Sequence, residues 1–196
     1  MIFKRKIYDE LLRWKRTDEG RTAVLIQGAR RVGKSTVAEE FATNEYDTHI
    51  LVDFAACSSE IRDLFNDVSD LNRIFMRLQL EYGIELKERK SAIIFDEVQL
   101  APKARQAIKY LVKDGKYEYI ETGSLISIRK NVKDILIPSE EVKVHMFPMD
   151  YEEFKWALGD TATIKLLQSC FHNRTSLGDA TNRKLMRDFR LYMLIG

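Results

Sequence analysis

Two kinds of apolar pattern alternate along this chain. Short continuous runs come first: Ala23 to Ile26, Thr48 to Phe54, Ser91 to Phe95 and Tyr117 to Glu121. Their length and β-branched content suit strands buried on both faces. Glu141 to Phe147 instead alternates polar and apolar, which suits a strand with one covered face, and Pro148 closes it. Between the runs, apolar residues recur at helical spacing. Ile7, Leu11 and Trp14 predict an amphipathic helix of about ten residues, ended by Thr17 to Gly20. Thr36 to Phe41 predicts a helix directly after the first strand. Ser58-Ser59-Glu60 caps a short helix through Phe65, and Leu71, Ile74, Phe75, Leu78 and Tyr82 mark a longer one. Pro102 fits the first turn of a helix whose apolar face is Ala104, Ala107, Ile108, Leu111 and Val112, ended by Asp114-Gly115.

Past Pro148 the pattern is helical only. Asp150 and Glu153 have capping-box spacing, with Met149 placed to staple onto Phe154, so a helix starts at Tyr151 and stops at Gly159. Further helices are expected from Thr163 to Phe171 and from Thr181 onward. The last carries Leu185, Met186, Phe189, Tyr192 and Met193 as a broad apolar face. Strands alternating with helices predict an α/β fold with a parallel sheet. The domain reading is a core over residues 1–149 and a helical appendage over 150–196.

The link between the first strand and its helix carries the chemistry. Gly28-Ala29-Arg30-Arg31-Val32-Gly33-Lys34-Ser35 fits G-x-x-x-x-G-K-[ST], set between a strand and a helix as that pattern requires. Gly28 and Gly33 allow the backbone close to a phosphate chain. The helix start offers unpaired N–H groups and a positive dipole end. Lys34 supplies a cation for the β- and γ-phosphates, and Ser35 an oxygen suited to Mg²⁺. The expected nucleotide-binding set is therefore Gly28, Ala29, Arg30, Arg31, Val32, Gly33, Lys34, Ser35 and Thr36. A second signal lies at the end of the third apolar run, where Ile93-Ile94-Phe95 meets Asp96-Glu97. Asp96 is placed to hold Mg²⁺ beside Ser35, and Glu97 to act as base or to orient water. Thr122-Gly123-Ser124 follows the fourth run and brings hydroxyls to a strand tip, where a turn with Thr and Ser as caps is the plainer reading.

Composition narrows the picture further. The 45% hydrophobic and 32% charged content of 196 residues is that of a soluble globular protein with room for a core. A net charge of +2 is no strong nucleic-acid footprint. Lys87-Glu88-Arg89-Lys90 and Arg129-Lys130 are its only support, and they fit solvated faces. Cys57 and Cys170 suggest reduced thiols. His49, His145 and His172 have no metal-ligand spacing. No run is long enough to span a membrane and no signal peptide is visible, so the expected location is cytoplasmic.

Four stretches together resemble one family: Gly28 to Ser35, Ile94-Phe95-Asp96-Glu97-Val98-Gln99, Glu121-Thr122-Gly123-Ser124, and Met146 to Phe154, which reads MFPMDYEEF. They are similar to a prokaryotic family of AAA-type ATPases, over nearly the whole chain. Members follow the ATPase with a winged-helix-like segment and a nuclease-like C-terminal domain. By that resemblance, the chain ends inside the linker to such a domain. The resemblance also implies a five-stranded parallel sheet of order 5-1-4-3-2, and a sensor position at Thr122 to Ser124, with either hydroxyl able to serve. Arg129 is the arginine-finger candidate, and a solvated loop arginine is the plainer reading.

The function this implies is Mg²⁺-dependent binding and hydrolysis of ATP, with Lys34, Glu97, Thr122, Ser124 and Arg129 as the catalytic set and Ser35 and Asp96 as metal ligands. Such proteins often borrow an arginine from a neighbouring subunit, so a homo-oligomer is one expected arrangement. The alternative is a nucleotide-gated interaction module with negligible turnover, which would leave a role in DNA-associated processes open.

Overall fold

Ala23–Gly28 forms β1 with every residue buried, and Ser91–Asp96 forms β3 likewise. Both-sided burial is what continuous apolar runs dictate. Thr48–Asp53 forms β2, Glu118–Ser124 forms β4 and Glu141–Met146 forms β5. The strands lie in the order β2-β3-β4-β1-β5, all parallel. This is the expected 5-1-4-3-2 order read from the other edge. The computed structural model describes residues 3–124 and 139–195.

Helices cover both faces. On one face lie α1 (Ile7–Asp18) and α2 (Lys34–Glu45). Ile7, Leu11 and Trp14 of α1 pack with Val37, Phe41 and Ala42 of α2 over Val24, Ile26, Ile94 and Ile120 of the sheet. The apolar stripe of α1 is thus core. On the other face lie α3 (Ser59–Asp63), α4 (Leu71–Tyr82) and α5 (Pro102–Asp114). They cover Leu25, Val52, Ile93, Phe95 and Tyr119. Odd and even strand positions therefore feed separate cores, as the period of two requires.

Two strand ends differ from the sequence pattern. The fourth strand does not turn at Thr122. It runs on through Ser124, because Ile26, Gln27 and Gly28 of β1 stand in register with Thr122, Gly123 and Ser124. The fifth strand stops at Met146, and Phe147 is 70% exposed.

The chain divides into two compact units, Ile7–Met146 and Met1–Lys6 with Phe147–Gly196. The second unit holds α6 (Tyr151–Ala157), α7 (Thr163–His172) and α8 (Asp179–Ile195). The capping box at Asp150 and Glu153 forms in both directions. Glu153 also accepts from the Lys6 backbone N–H at 2.7 Å and pairs with Arg5 at 3.2 Å. Tyr151 meets the rings of Phe189 and Tyr192 at 5.3 and 5.5 Å. Lys155, nearly buried, is held between Asp160 and Asp188, each at 2.9 Å. Part of the apolar face of α8 is thereby packed, whereas Met186 and Met193 stay exposed.

Candidate functional site

The loop leaves β1 at Gly28 and enters α2 at Lys34. Gly33, the residue capping α2, sits at φ 95°, a left-handed conformation that favours glycine. No side chain caps this helix, and its first turn carries no acid. The N–H groups at its start therefore remain available to an anion. Arg31 is also left-handed, at φ 64°.

Gly28 is needed for a reason the loop pattern does not state. It is the last residue of β1, in register with Met146 of β5. A Cβ there would lie 2.1 Å from the Met146 carbonyl oxygen, which is backbone and has no room to rotate away. Gly28→Ala should therefore destabilise the protein by roughly 1–3 kcal/mol through overpacking. An unchanged thermal midpoint would show that β5 can yield.

The Lys34 side chain is folded along the loop and donates to Ala29 O at 2.7 Å. Burial pushes its pKa below the usual ammonium range, while the charges of Glu97 and Asp96 oppose that shift and Arg30 adds to it. A buried cation facing two acids at a helix start is arranged to meet a polyanion.

Asp96 ends β3 and is the centre of the polar contacts. Ser35 Oγ donates to Asp96 Oδ1 at 2.6 Å. Thr122 Oγ1 donates to the same oxygen. The Thr122 hydroxyl then accepts from the Glu97 N–H at 3.2 Å. One hydroxyl on β4 thus ties the Asp96 side chain to the Glu97 backbone. Its proton and a lone pair are engaged by the strand-end acids. Ser124, also buried, closes β4 in register with Gly28, next to the loop's first residue.

The structure thus brings together Lys34, Ser35, Asp96, Glu97 and Thr122, four of them through hydrogen bonds and Lys34 through the electrostatics above, at the carboxyl ends of the strands. That is the edge where parallel α/β sheets bind ligands. Ala29, Arg30, Val32 and Thr36 lie along the same loop and first helical turn. Arg129 lies outside the described residues. Ser35 and Asp96 are oxygen donors, one anionic, in mutual contact, and this donor set fits Mg²⁺. No cluster of three or more His, Cys, Asp or Glu residues suited to a metal occurs among the described residues.

Two features escaped the sequence patterns. Gln99 donates its amide N–H to Glu97 Oε2. Away from the loop, α5 buries Arg105 against Glu141, with three N–H···O contacts of 3.0 to 3.1 Å and side-chain exposures of 3% and 0%. Glu121 of β4 is fully buried beside this pair, and no donor reaches either of its oxygens. Burial first, and the neighbouring Glu141 charge second, push its pKa well above the carboxyl range, with Arg105 opposing. The raised carboxyl favours its protonated form, which can donate to Glu141. A charged residue inside an otherwise apolar run, as in Tyr119-Ile120-Glu121, was the available signal.

No curated protein matches the chain. Several solved structures are similar to it. A chain of Drosophila ORC bound to DNA is 13% identical, with a TM-score of 0.50 over 74% of this chain and 93% of that one. C. elegans PCH-2 is 10% identical, with a TM-score of 0.42 over 83% and 46% of the two chains. Pif1 helicase from Candida albicans is 13% identical, with a TM-score of 0.45 over 95% and 48%. The chain spans about half the length of the last two. At these identities the likeness concerns the fold alone. Among the described residues no helix is long and apolar enough to cross a membrane. A family profile described as AAA domain matches residues 20–155, a span that holds the phosphate loop, both strand-end acids and Thr122, and the chain accordingly belongs to this family of P-loop ATPases.

Proposed function

We propose that this chain binds Mg-ATP at the loop from Gly28 to Thr36 and hydrolyses it. The observation that carries the reading is the Ser35 Oγ to Asp96 Oδ1 contact of 2.6 Å beside the buried Lys34. It joins two motifs 61 positions apart into one oxygen-lined corner. Ser35 and Asp96 would hold Mg²⁺, which when bound neutralises phosphate charge. Lys34 and the α2 N–H groups would bind the β- and γ-phosphates. Glu97 would accept the proton of a water whose oxygen bonds to the γ-phosphorus as the bond to the ADP oxygen breaks, giving ADP and phosphate. Thr122 keeps Asp96 and Glu97 in fixed relation, and Ser124 borders the loop. Arg129 remains the candidate arginine finger, and a second copy of the chain the candidate source of one in trans.

Lys34→Ala tests the binding half. It removes charge-assisted hydrogen bonds to phosphate, each worth about 1.5–3 kcal/mol, so affinity should fall roughly 10- to 100-fold. The fold should persist. Titration calorimetry that gives the parent affinity in a folded Lys34→Ala protein would remove the assignment. Steady-state turnover measured against protein concentration tests the other half. A nucleotide that binds tightly and is not hydrolysed at any concentration would favour the gated module.

A further inference from the structure

Glu97 is held in an unusual way. Its backbone is left-handed, with φ 52° and ψ 44°, at the junction between β3 and a single 3₁₀ turn over Val98–Leu100. A residue with a Cβ in this region costs of order 1 kcal/mol and persists only where its surroundings impose it. Here they do. The Glu97 N–H donates to Thr122 Oγ1 at 3.2 Å, and its carbonyl accepts from Leu100 N at 2.9 Å. The next turn bond, from Ala101 N to Val98 O at 3.0 Å, locks the 3₁₀ geometry behind it.

That fixes the backbone but not the carboxylate, which is three rotatable bonds away. The contact that fixes the carboxylate comes from Gln99. Its amide N–H donates to Glu97 Oε2. Gln99 is 5% exposed and its neighbour Val98 is fully buried, so the amide is itself held by the core. The sharp turn is what brings a residue only two positions on back over Glu97. A carboxylate has two oxygens. With Oε2 taken by Gln99, Oε1 is the one left to meet a water. The same carboxylate is near enough to Lys34 to be the first charge opposing its shift. It is therefore held toward the phosphate loop.

We propose that Gln99 is a positioning residue for Glu97: its amide holds one carboxylate oxygen so that the other faces the water attacking the γ-phosphate. This rests on the hydrolytic reading above. Gln99 is assigned neither a nucleotide contact nor a metal-ligand role, so its loss should change turnover and not affinity. A base displaced by a fraction of an ångström loses much of the benefit of orientation.

The test is Gln99→Met, which keeps the buried volume and removes the donor, measured beside Glu97→Gln and the double variant. Single-turnover and steady-state rates give kcat, and calorimetry gives the Mg-ATP affinity. Gln99→Met should lower kcat roughly tenfold or more with affinity and thermal midpoint close to the parent. In the Glu97→Gln background the same substitution should change kcat by less than about twofold, because there is no carboxylate left to position. A general packing defect would slow both backgrounds alike. Gln99→Asn, whose amide is one methylene short, should also slow turnover, and it serves if the methionine variant does not fold. Parent-like or faster turnover in folded Gln99→Met, or a loss that multiplies with that of Glu97→Gln, overturns the proposal. If the parent itself does not hydrolyse ATP, the hydrolytic reading fails first, and this inference with it. The two failures are told apart by the parent rate alone.

Discussion

Glu97→Gln should bind Mg-ATP about as tightly as the parent and turn it over at least ~100-fold more slowly, the scale of a lost acid–base group. The geometry separates the two acids. Asp96 points to Ser35 and Thr122, which donate to its Oδ1. Glu97 turns away through its left-handed backbone and faces Lys34. The substitution leaves the Ser35–Asp96 corner untouched, and the Glu97 N–H to Thr122 bond is backbone and survives. Only the proton acceptor is lost. Calorimetry and a phosphate-release assay on the same preparation check both halves. If the parent turns over and Glu97→Gln matches it, Glu97 is not the base. If Glu97→Gln also binds poorly, the carboxylate contributes to the nucleotide site in another way.

The second large effect is on stability. Arg105→Met removes the guanidinium from Glu141 and leaves two buried carboxyls with only the partly exposed Lys143, 3.7 Å from Glu141, as a cation. Breaking a buried ion pair from one side costs about 3–5 kcal/mol. Urea denaturation should show a lowered midpoint with an unchanged slope. Glu121→Gln should do the opposite of what its full burial suggests. A protonated carboxyl is replaced by an amide that can still donate to Glu141, so the change at acid pH is small. The pH dependence then follows from sign. Glu121 is raised in the folded protein, so folding takes up a proton once the unfolded carboxyl ionises. Its favourable contribution is full below the unfolded pKa and is lost as pH rises toward the folded one. The slope is at most about 1.4 kcal/mol per pH unit. Glu121→Gln has no such slope. Relative to the parent it should gain stability as pH rises through the window above the unfolded carboxyl pKa of about 4.3. A stability difference that stays flat over that window would show that Glu121 is ionised in the fold.

The same triad shows where the sequence stops being informative. The five strands, the helices and the phosphate loop are all local patterns. Each apolar run or helical stripe is decided by residues within one or two turns of each other, so composition and spacing suffice. The chemistry of Lys34, Ser35, Asp96 and Glu97 belongs to the same class, because the loop needs a strand before it and a helix after it, and both are adjacent in the chain. Sheet order was not available from periodicity. It came from resemblance to a family, since a parallel strand's neighbour is set by crossovers and not by the strand's own residues.

What only the tertiary structure decided is which distant residues share a register. Thr122 looks like a turn residue until β1 is laid beside it and carries β4 on to Ser124. Only then does its hydroxyl sit between Asp96 and Glu97. Gly28 looks like a phosphate-loop glycine until Met146 of β5 is found where its Cβ would stand. Arg105, Glu121 and Glu141 come from three separate elements, and nothing in each segment announces the others. They meet because Glu141 and Glu121 flank β1 on the α5 face, Glu141 in register with Ala23 and Glu121 with Leu25. A charge can be buried at that position only where its partners are supplied by neighbouring elements, and pairing of that kind is a property of the assembled sheet.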